Sequence, residues 1–151
     1  MTSPNYSDMK KEIVEMTLCM IKPDGMVYRD QIEDRLIRAG FRIMMRKTVR
    51  LTHEQAADFC KDQYRSLNYP LIILSLTAGP VLPMIVAKAG AVRELNALIG
   101  PTSFDEAARL WPGSLRSHFA DCNDEFTNAV HGSVDHNHAR YEIRFFFPEG
   151  M

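Results

Sequence analysis

The segment Asn128-Ala-Val-His131-Gly-Ser133 holds the residue best suited to covalent chemistry. A histidine that ends a short apolar stretch and is followed by glycine presents its imidazole at a turn, with room for a reactant. Neutral imidazole is a competent nucleophile near pH 7 when a neighbouring acceptor orients the ring. Glu142, eleven residues on in a stretch patterned as a helix, is a candidate for that acceptor. Lys22, in Ile21-Lys-Pro-Asp-Gly25, puts a cation where an apolar strand runs into a turn. Arg116, in Pro112-Gly-Ser-Leu-Arg116, adds a planar guanidinium suited to phosphate oxygens, and Thr102 adds a hydroxyl just after Gly100. Singly, each has an ordinary reading: a satisfied turn histidine, a generic Lys-Pro-Asp-Gly turn, a solvated arginine. Together with Asn128 they are what phosphate binding and transfer require once a fold brings separate loops together.

The elements that must do so are legible in outline. Met16 to Ile21 is a short apolar run closed by Lys-Pro-Asp-Gly, the pattern of a buried strand and turn. Asp30 and Glu33 stand three apart as a capping box ahead of Ile32 and Leu36, and Gly40 stops that helix. Phe41 to Leu51 alternates apolar and basic residues and predicts a strand. Thr52-His-Glu-Gln55 is a second capping box, opening a helix with Ala56, Phe59 and Cys60 inward. Pro70 to Ala78 is a short helix or turn. Val81 to Ala87 is a strand whose Pro83 calls for an edge or a bulge. Ala91 to Ile99 is helical, residues 101–127 form a long loop with short helices in it, Ala129 to His131 is a strand, and Asn137 to Phe146 is a helix. With the helix after Thr52 as an insertion, the core order is βαββαβ. The expected fold is therefore α+β, a ferredoxin-like sandwich with an antiparallel sheet, extra helices and a long loop.

A chain of 151 residues, 46% hydrophobic and 25% charged, is enough for one packed core. The polar start, residues 1–14, is expected to be a flexible arm and 15–151 a single domain. A net charge of −1 gives no overall basic field for nucleic acid, and no apolar run reaches the roughly 18 residues of a membrane span. Cys19, Cys60 and Cys122 are an odd, scattered set without a CxxC, which points to reduced thiols and a cytoplasmic setting.

The motifs Ile21-Lys-Pro-Asp-Gly25, Gly79-Pro80, Gly100-Pro-Thr102, Pro112-Gly-Ser-Leu-Arg116 and Asn128-Ala-Val-His131-Gly-Ser133, with the ending Tyr141-Glu-Ile-Arg-Phe-Phe-Phe-Pro-Glu149, occur in this order. Over about residues 15–149 the chain resembles the nucleoside diphosphate kinase family. The loop from Gly100 to Arg116 looks closer to a divergent branch that includes cilium- and flagellum-associated members. The resemblance implies a two-step exchange in which His131 takes the γ-phosphate of a nucleoside triphosphate and passes it to a nucleoside diphosphate. It implies magnesium carried by the nucleotide phosphates, with no metal held by protein ligands, and assembly as a hexamer or dimer. By the same resemblance Lys22 and Asn128 contact the ribose 3′-hydroxyl and Lys22 also faces the phosphates. Thr102 and Arg116 bind phosphate oxygens, and Glu142 and Ser133 orient and assist His131.

The match breaks at nucleotide-binding positions. Cys60 stands where the family has a tyrosine supporting the nucleophile, and Asn68 where an aromatic ring stacks on the base. Tyr64 or Tyr69 could substitute after a small local shift. Asn96 stands where the family has an arginine on the phosphates, with Arg93 one turn earlier, and Val134 replaces an aspartate. Losing a charged hydrogen bond costs roughly 1.5–3 kcal/mol and a base–aromatic stack about 1–3 kcal/mol. A weakened enzyme, or a nucleotide-binding assembly subunit without activity, is the alternative these changes raise. Two other readings are weaker. His131, His136, His138 and Asp135 crowd one segment, but His136 and His138 are two apart in a stretch read as helix, a poor spacing for a shared metal. The basic run Arg42 to Arg50 lacks the aromatic pattern of an RNA-binding sheet.

Overall fold

The computed structural model describes residues 13–121, 124 and 126–149. Four strands, β1 (Val14–Ile21), β2 (Arg42–Arg46), β3 (Leu82–Ala89) and β4 (Val130–Gly132), form one sheet in the order β2-β3-β1-β4. Every pairing is antiparallel. Seven α-helices occur among the described residues: α1 (Arg29–Arg38), α2 (His53–Phe59), α3 (Tyr69–Thr77), α4 (Ala91–Ile99), α5 (Phe104–Leu110), α6 (Leu115–Phe119) and α7 (His136–Phe146). This is the ferredoxin-like α+β order the sequence predicts, with α2 and α3 inserted between β2 and β3.

The apolar runs of β1 and β3 are continuous because both faces of the sheet are covered. Successive side chains point to opposite faces. Cys19, Ile21, Met84 and Val86 pack with Ile32 and Leu36 of α1 and Leu95 and Ile99 of α4. Leu18, Met20 and Ile85 pack on the other face with Ala56 and Phe59 of α2, Ile73 and Leu76 of α3, and Phe146. The second layer is the one that carries the site, since His131 lies opposite Met20 in the β1–β4 register.

Several sequence expectations are corrected. The Asp30–Glu33 capping box does not form: α1 follows directly on a 3-10 turn, Pro23–Tyr28, and no side chain caps it. Glu33 instead accepts from Arg46 of β2. The Thr52–Gln55 box does form in both directions. The strand expected to reach Leu51 stops at Arg46, leaving an isolated bridge from Val49 to Val81. Pro83 lies in a central strand, not at an edge. Its carbonyl accepts from Lys47, just past the end of β2, so its missing N–H falls where that pairing has broken off. Tyr69–Thr77 is a helix, and α5 and α6 occupy part of the long loop. Asp135 caps α7, which begins one residue earlier than expected. Apart from Ile13 and Val14, the expected arm lies outside the described residues, as does Cys122. No helix among the described residues is long and apolar enough to cross a membrane.

Candidate active site

The turn after β1 and the backbone before β4 build the floor of the site. Ala129 has φ 70°, a left-handed conformation that costs a residue with a Cβ about 1–2 kcal/mol. Two hydrogen bonds hold it: its N–H donates to Asp24 Oδ2 at 2.8 Å and its carbonyl accepts from the Lys22 N–H at 2.8 Å. Glycine is required at 25 because a Cβ there would lie 2.5 Å from the Ala129 carbonyl oxygen. The Lys-Pro-Asp-Gly turn therefore aims the chain that delivers His131.

His131 Nε2 lies 2.8 Å from Glu142 Oε1, and the Ser133 hydroxyl donates to that same oxygen at 2.8 Å. Glu142 and Ser133 are buried, whereas the His131 side chain keeps 29% exposure toward the cavity. A carboxylate can only accept, so Nε2 carries a proton, and in the neutral ring Nδ1 keeps its lone pair. The ring of Phe59 packs edge-on against the imidazole, centroids 5.4 Å apart, and fixes its tilt.

A cavity of about 430 Å³ opens beside this ring and collects Lys22, Cys60, Asn68, Thr102, Arg116, Asn128, His131 and Glu142 in its lining. Lys22 Nζ donates to the Phe126 carbonyl at 2.8 Å and to Asn128 Oδ1 at 3.1 Å. Burial pushes the Lys22 ammonium down to about 8, with Asp24 opposing that shift. The Arg116 guanidinium donates to the carbonyls of Gly100 (2.8 Å) and Val130 (2.9 Å), which ties the long loop to the base of β4. Burial lowers it to about 10, and its Nε is buried without a hydrogen-bond partner. Burial likewise raises the Asp24 carboxyl. Two desolvated cations in one concave wall are an arrangement that an anion relieves.

The Cys60 thiol is raised to about 11, chiefly by burial, so at neutral pH it is an unreactive thiol in the wall. Asn68 lies at the rim on the segment between α2 and α3, alongside Asp62, Gln63 and Ser66. Neither Tyr64 nor Tyr69 lines the cavity: Tyr64 is exposed and Tyr69 packs on the second core. Arg93 points to solvent with an 85% exposed side chain. Asn96 does not line the cavity either, because its amide donates to the Ser133 carbonyl at 2.9 Å. His138 bridges Asp135 (2.8 Å) and Asp62 (2.9 Å) at the mouth, while His136 faces Glu15 at 3.5 Å. The two histidines thus diverge, and no group of three His, Cys, Asp or Glu side chains among the described residues is arranged to hold a metal ion. Sequence reasoning missed Phe59 as a neighbour of the imidazole and Asp62, Gln63 and Ser66 as wall residues. The polar run Lys61 to Asn68 between two apolar helices was the available signal.

A sequence model of the family described as Nucleoside diphosphate kinase matches residues 15–151. The chain is 37% identical over 138 residues to nucleoside diphosphate kinase homolog 5 of Danio rerio, covering 91% of this chain and 63% of that protein. It thus spans under two thirds of the length of that relative. It is 34% identical to the nucleoside diphosphate kinase of Aquifex aeolicus, with 89% of this chain and 94% of that one covered. A crystal structure of the Aquifex aeolicus enzyme superposes with a TM-score of 0.85, covering 89% of this chain and 96% of that one. A Halobacterium salinarum nucleoside diphosphate kinase in complex with CDP superposes at 0.80 with 31% identity, covering 89% and 88% of the two chains.

Proposed function

This chain belongs to the nucleoside diphosphate kinase family, and we propose that it transfers the γ-phosphate of a nucleoside triphosphate to a nucleoside diphosphate through His131. The observation that carries this reading is the shared Glu142 oxygen, 2.8 Å from both His131 Nε2 and the Ser133 hydroxyl, in a cavity that also holds Lys22 and Arg116. Nδ1 attacks the γ-phosphorus as the bond to the bridging oxygen breaks, and the nucleoside diphosphate leaves with that electron pair. A second diphosphate then attacks the phosphohistidine and restores the imidazole. Glu142 keeps the proton on Nε2 and offsets the positive charge that develops on the ring, with Ser133 holding the carboxylate in place. Thr102 and Arg116 receive phosphate oxygens, both lining the cavity. Lys22 and Asn128, already hydrogen-bonded to each other, face the ribose 3′-hydroxyl, with Lys22 also toward the phosphates.

Magnesium arrives with the nucleotide, held mainly by its phosphates. The free, buried Cys19 and Cys60 support a reducing cytoplasmic setting. A homo-oligomer, hexamer or dimer, accords with β2 lying at the open edge of the sheet with Met44 exposed. A second reading, a nucleotide-binding assembly subunit with little turnover, is favoured by Asn96 facing away from the cavity and by the absence of an aromatic ring at Asn68. Incubation with γ-labelled ATP separates the two. The enzyme reading expects acid-labile label on the protein, lost in His131→Ala and discharged by GDP. Nucleotide-dependent thermal stabilisation without label supports the subunit reading and rejects the enzyme.

A further inference from the structure

We propose that Asn96 is a positioning residue that acts on His131 through Ser133, holding the imidazole in the tautomer that frees Nδ1. The idea rests on the reading of His131 as phosphoryl carrier, but its central consequence is visible without turnover.

Ser133 is fully buried and anchored at three points. Its N–H donates to the Leu18 carbonyl of β1 at 3.2 Å, and its hydroxyl donates to Glu142 Oε1 at 2.8 Å. Its carbonyl has no strand partner, because β4 ends at Gly132. A buried carbonyl without a donor is costly, and Asn96 Nδ2, from α4, supplies that donor at 2.9 Å. Glycine at 132 leaves room for this close approach of the helix. A Cβ there would sit 2.8 Å from Ile99 Cδ1 and 3.2 Å from Asn96 Oδ1. The Asn96 amide thus lies over the Gly132–Ser133 backbone, immediately after His131 in the chain.

The line of contacts runs from Asn96 to the Ser133 carbonyl, from the Ser133 hydroxyl to Glu142, and from Glu142 to His131 Nε2. Each contact fixes the next. Without the Asn96 donor the Ser133 peptide turns to find water, and the hydroxyl swings off Oε1. The carboxylate is then free to rotate, and Nε2–H loses its fixed acceptor. The proton becomes shared between the two ring nitrogens, and the fraction of molecules with a lone pair on Nδ1 falls. An arginine at this place would carry charge toward a ligand, whereas the short amide finds its partner in the backbone behind the nucleophile.

The test compares wild type with Asn96→Asp, which keeps shape and replaces the donor with an acceptor, and with Asn96→Gln, which keeps the donor. Nitrogen NMR of the His131 ring gives the tautomer directly in the protein without nucleotide. The expected result is a single Nε2-protonated tautomer in wild type, a mixture in Asn96→Asp, and recovery toward wild type in Asn96→Gln. Phosphohistidine formation from ATP should slow about tenfold in Asn96→Asp, with half-saturating ATP unchanged within roughly twofold. Asn96→Ser, uncharged and too short to reach, gives the same result should the aspartate unfold the protein. An unchanged tautomer in these variants overturns the proposal. So does an unchanged rate with raised half-saturating ATP, which would make Asn96 a nucleotide contact. Absence of any phosphohistidine in wild type overturns the proposed function, while the tautomer comparison still decides the role of Asn96.

Discussion

Asp24 accepts the backbone N–H of Ala129 at 2.8 Å, across 105 residues of sequence. The contact joins the turn that supplies Lys22 to the backbone that supplies His131, and it stabilises a non-glycine residue with φ 70°. Removing it should release that strain and cost position at the same time. Asp24→Ala is expected to destabilise the fold by about 1–3 kcal/mol, the cost of an orphaned buried donor, and to lower phosphotransfer more than nucleotide affinity. Ala129→Gly permits the left-handed conformation freely and should be neutral or stabilising by up to about 1 kcal/mol. The double variant should recover part of the stability but little of the activity, as measured by urea unfolding and a coupled phosphotransfer assay. A double variant with full activity would show that the clamp relieves strain without aiming His131.

Glu142 accepts from two donors on a single oxygen. Glu142→Gln keeps the volume but gives the site an amide, which can present its NH2 to the imidazole and draw the ring into the Nδ1-protonated form. Phosphohistidine formation should fall on the order of a hundredfold or more, by analogy with loss of an orienting carboxylate in other histidine-dependent sites. The thermal midpoint should change little. A rapid-quench measurement of the first turnover checks this, and a loss under about fivefold would remove Glu142 from the mechanism.

Much of this arrangement was readable beforehand because strand–turn junctions leave local marks. Lys22 sits beside Pro23, His131 beside Gly132 and Asn128 where the long loop gives way to an apolar strand; Glu142, mid-helix, is marked only by its spacing from His131, and all four meet in the cavity. What was not legible depends on tertiary direction. Position 96 looks like a cavity residue when counted from Gly100, but the rotation of α4 about its axis points its amide at Ser133. The Asp30–Glu33 pair has capping spacing, yet a preceding 3-10 turn supplies the entry to α1 and Glu33 is taken by Arg46. Pro83 forbids one ladder bond, and the sequence gives no sign that β2 ends where that bond would have been. Phe59 has the pattern of a core residue, and it is one; its edge against His131 appears only when α2 docks.

Lys22 sets an alkaline limit on nucleotide capture. Its ammonium is lowered to about 8 by burial, so above that pH the unliganded site loses the charge that would meet phosphate. The kcat/KM profile should therefore fall with an apparent pKa near 8, while the kcat profile should break at a higher pH, because bound phosphate favours the charged form. Lys22→Arg keeps its charge through this range and should lose the limb near pH 8, at a lower absolute rate because a guanidinium cannot repeat the contacts to Phe126 and Asn128. An unaltered limb in Lys22→Arg would assign it to another group.

At the mouth of the cavity His138 touches a carboxylate with each ring nitrogen, Asp135 on its own helix and Asp62 on the segment after α2. Both bonds are satisfied together only by the protonated ring, and its pKa is raised, chiefly by the hydrogen bond to Asp135, with the Asp62 bond adding to it. Lys61, next to Asp62 in the chain, places its ammonium over the Tyr141 ring at 4.2 Å. A histidine with a folded value above the unfolded 6.5 adds stability that is complete below about pH 6.5 and lost as pH rises through the folded value. The segment bearing Asp62, Gln63, Ser66 and Asn68 should therefore hold most firmly to α7 in mild acid and loosen toward alkaline pH. The groups are largely exposed, so the effect on global stability is small and screened by salt. Amide hydrogen exchange, corrected for its intrinsic pH dependence, should show protection of residues 61–68 falling as pH rises above about 6.5 in wild type and flat in His138→Gln. Equal protection on both sides of that pH in wild type would mean that the bridge does not hold the wall, and that Tyr141, which donates to the Asp58 carbonyl at 3.0 Å, secures it alone.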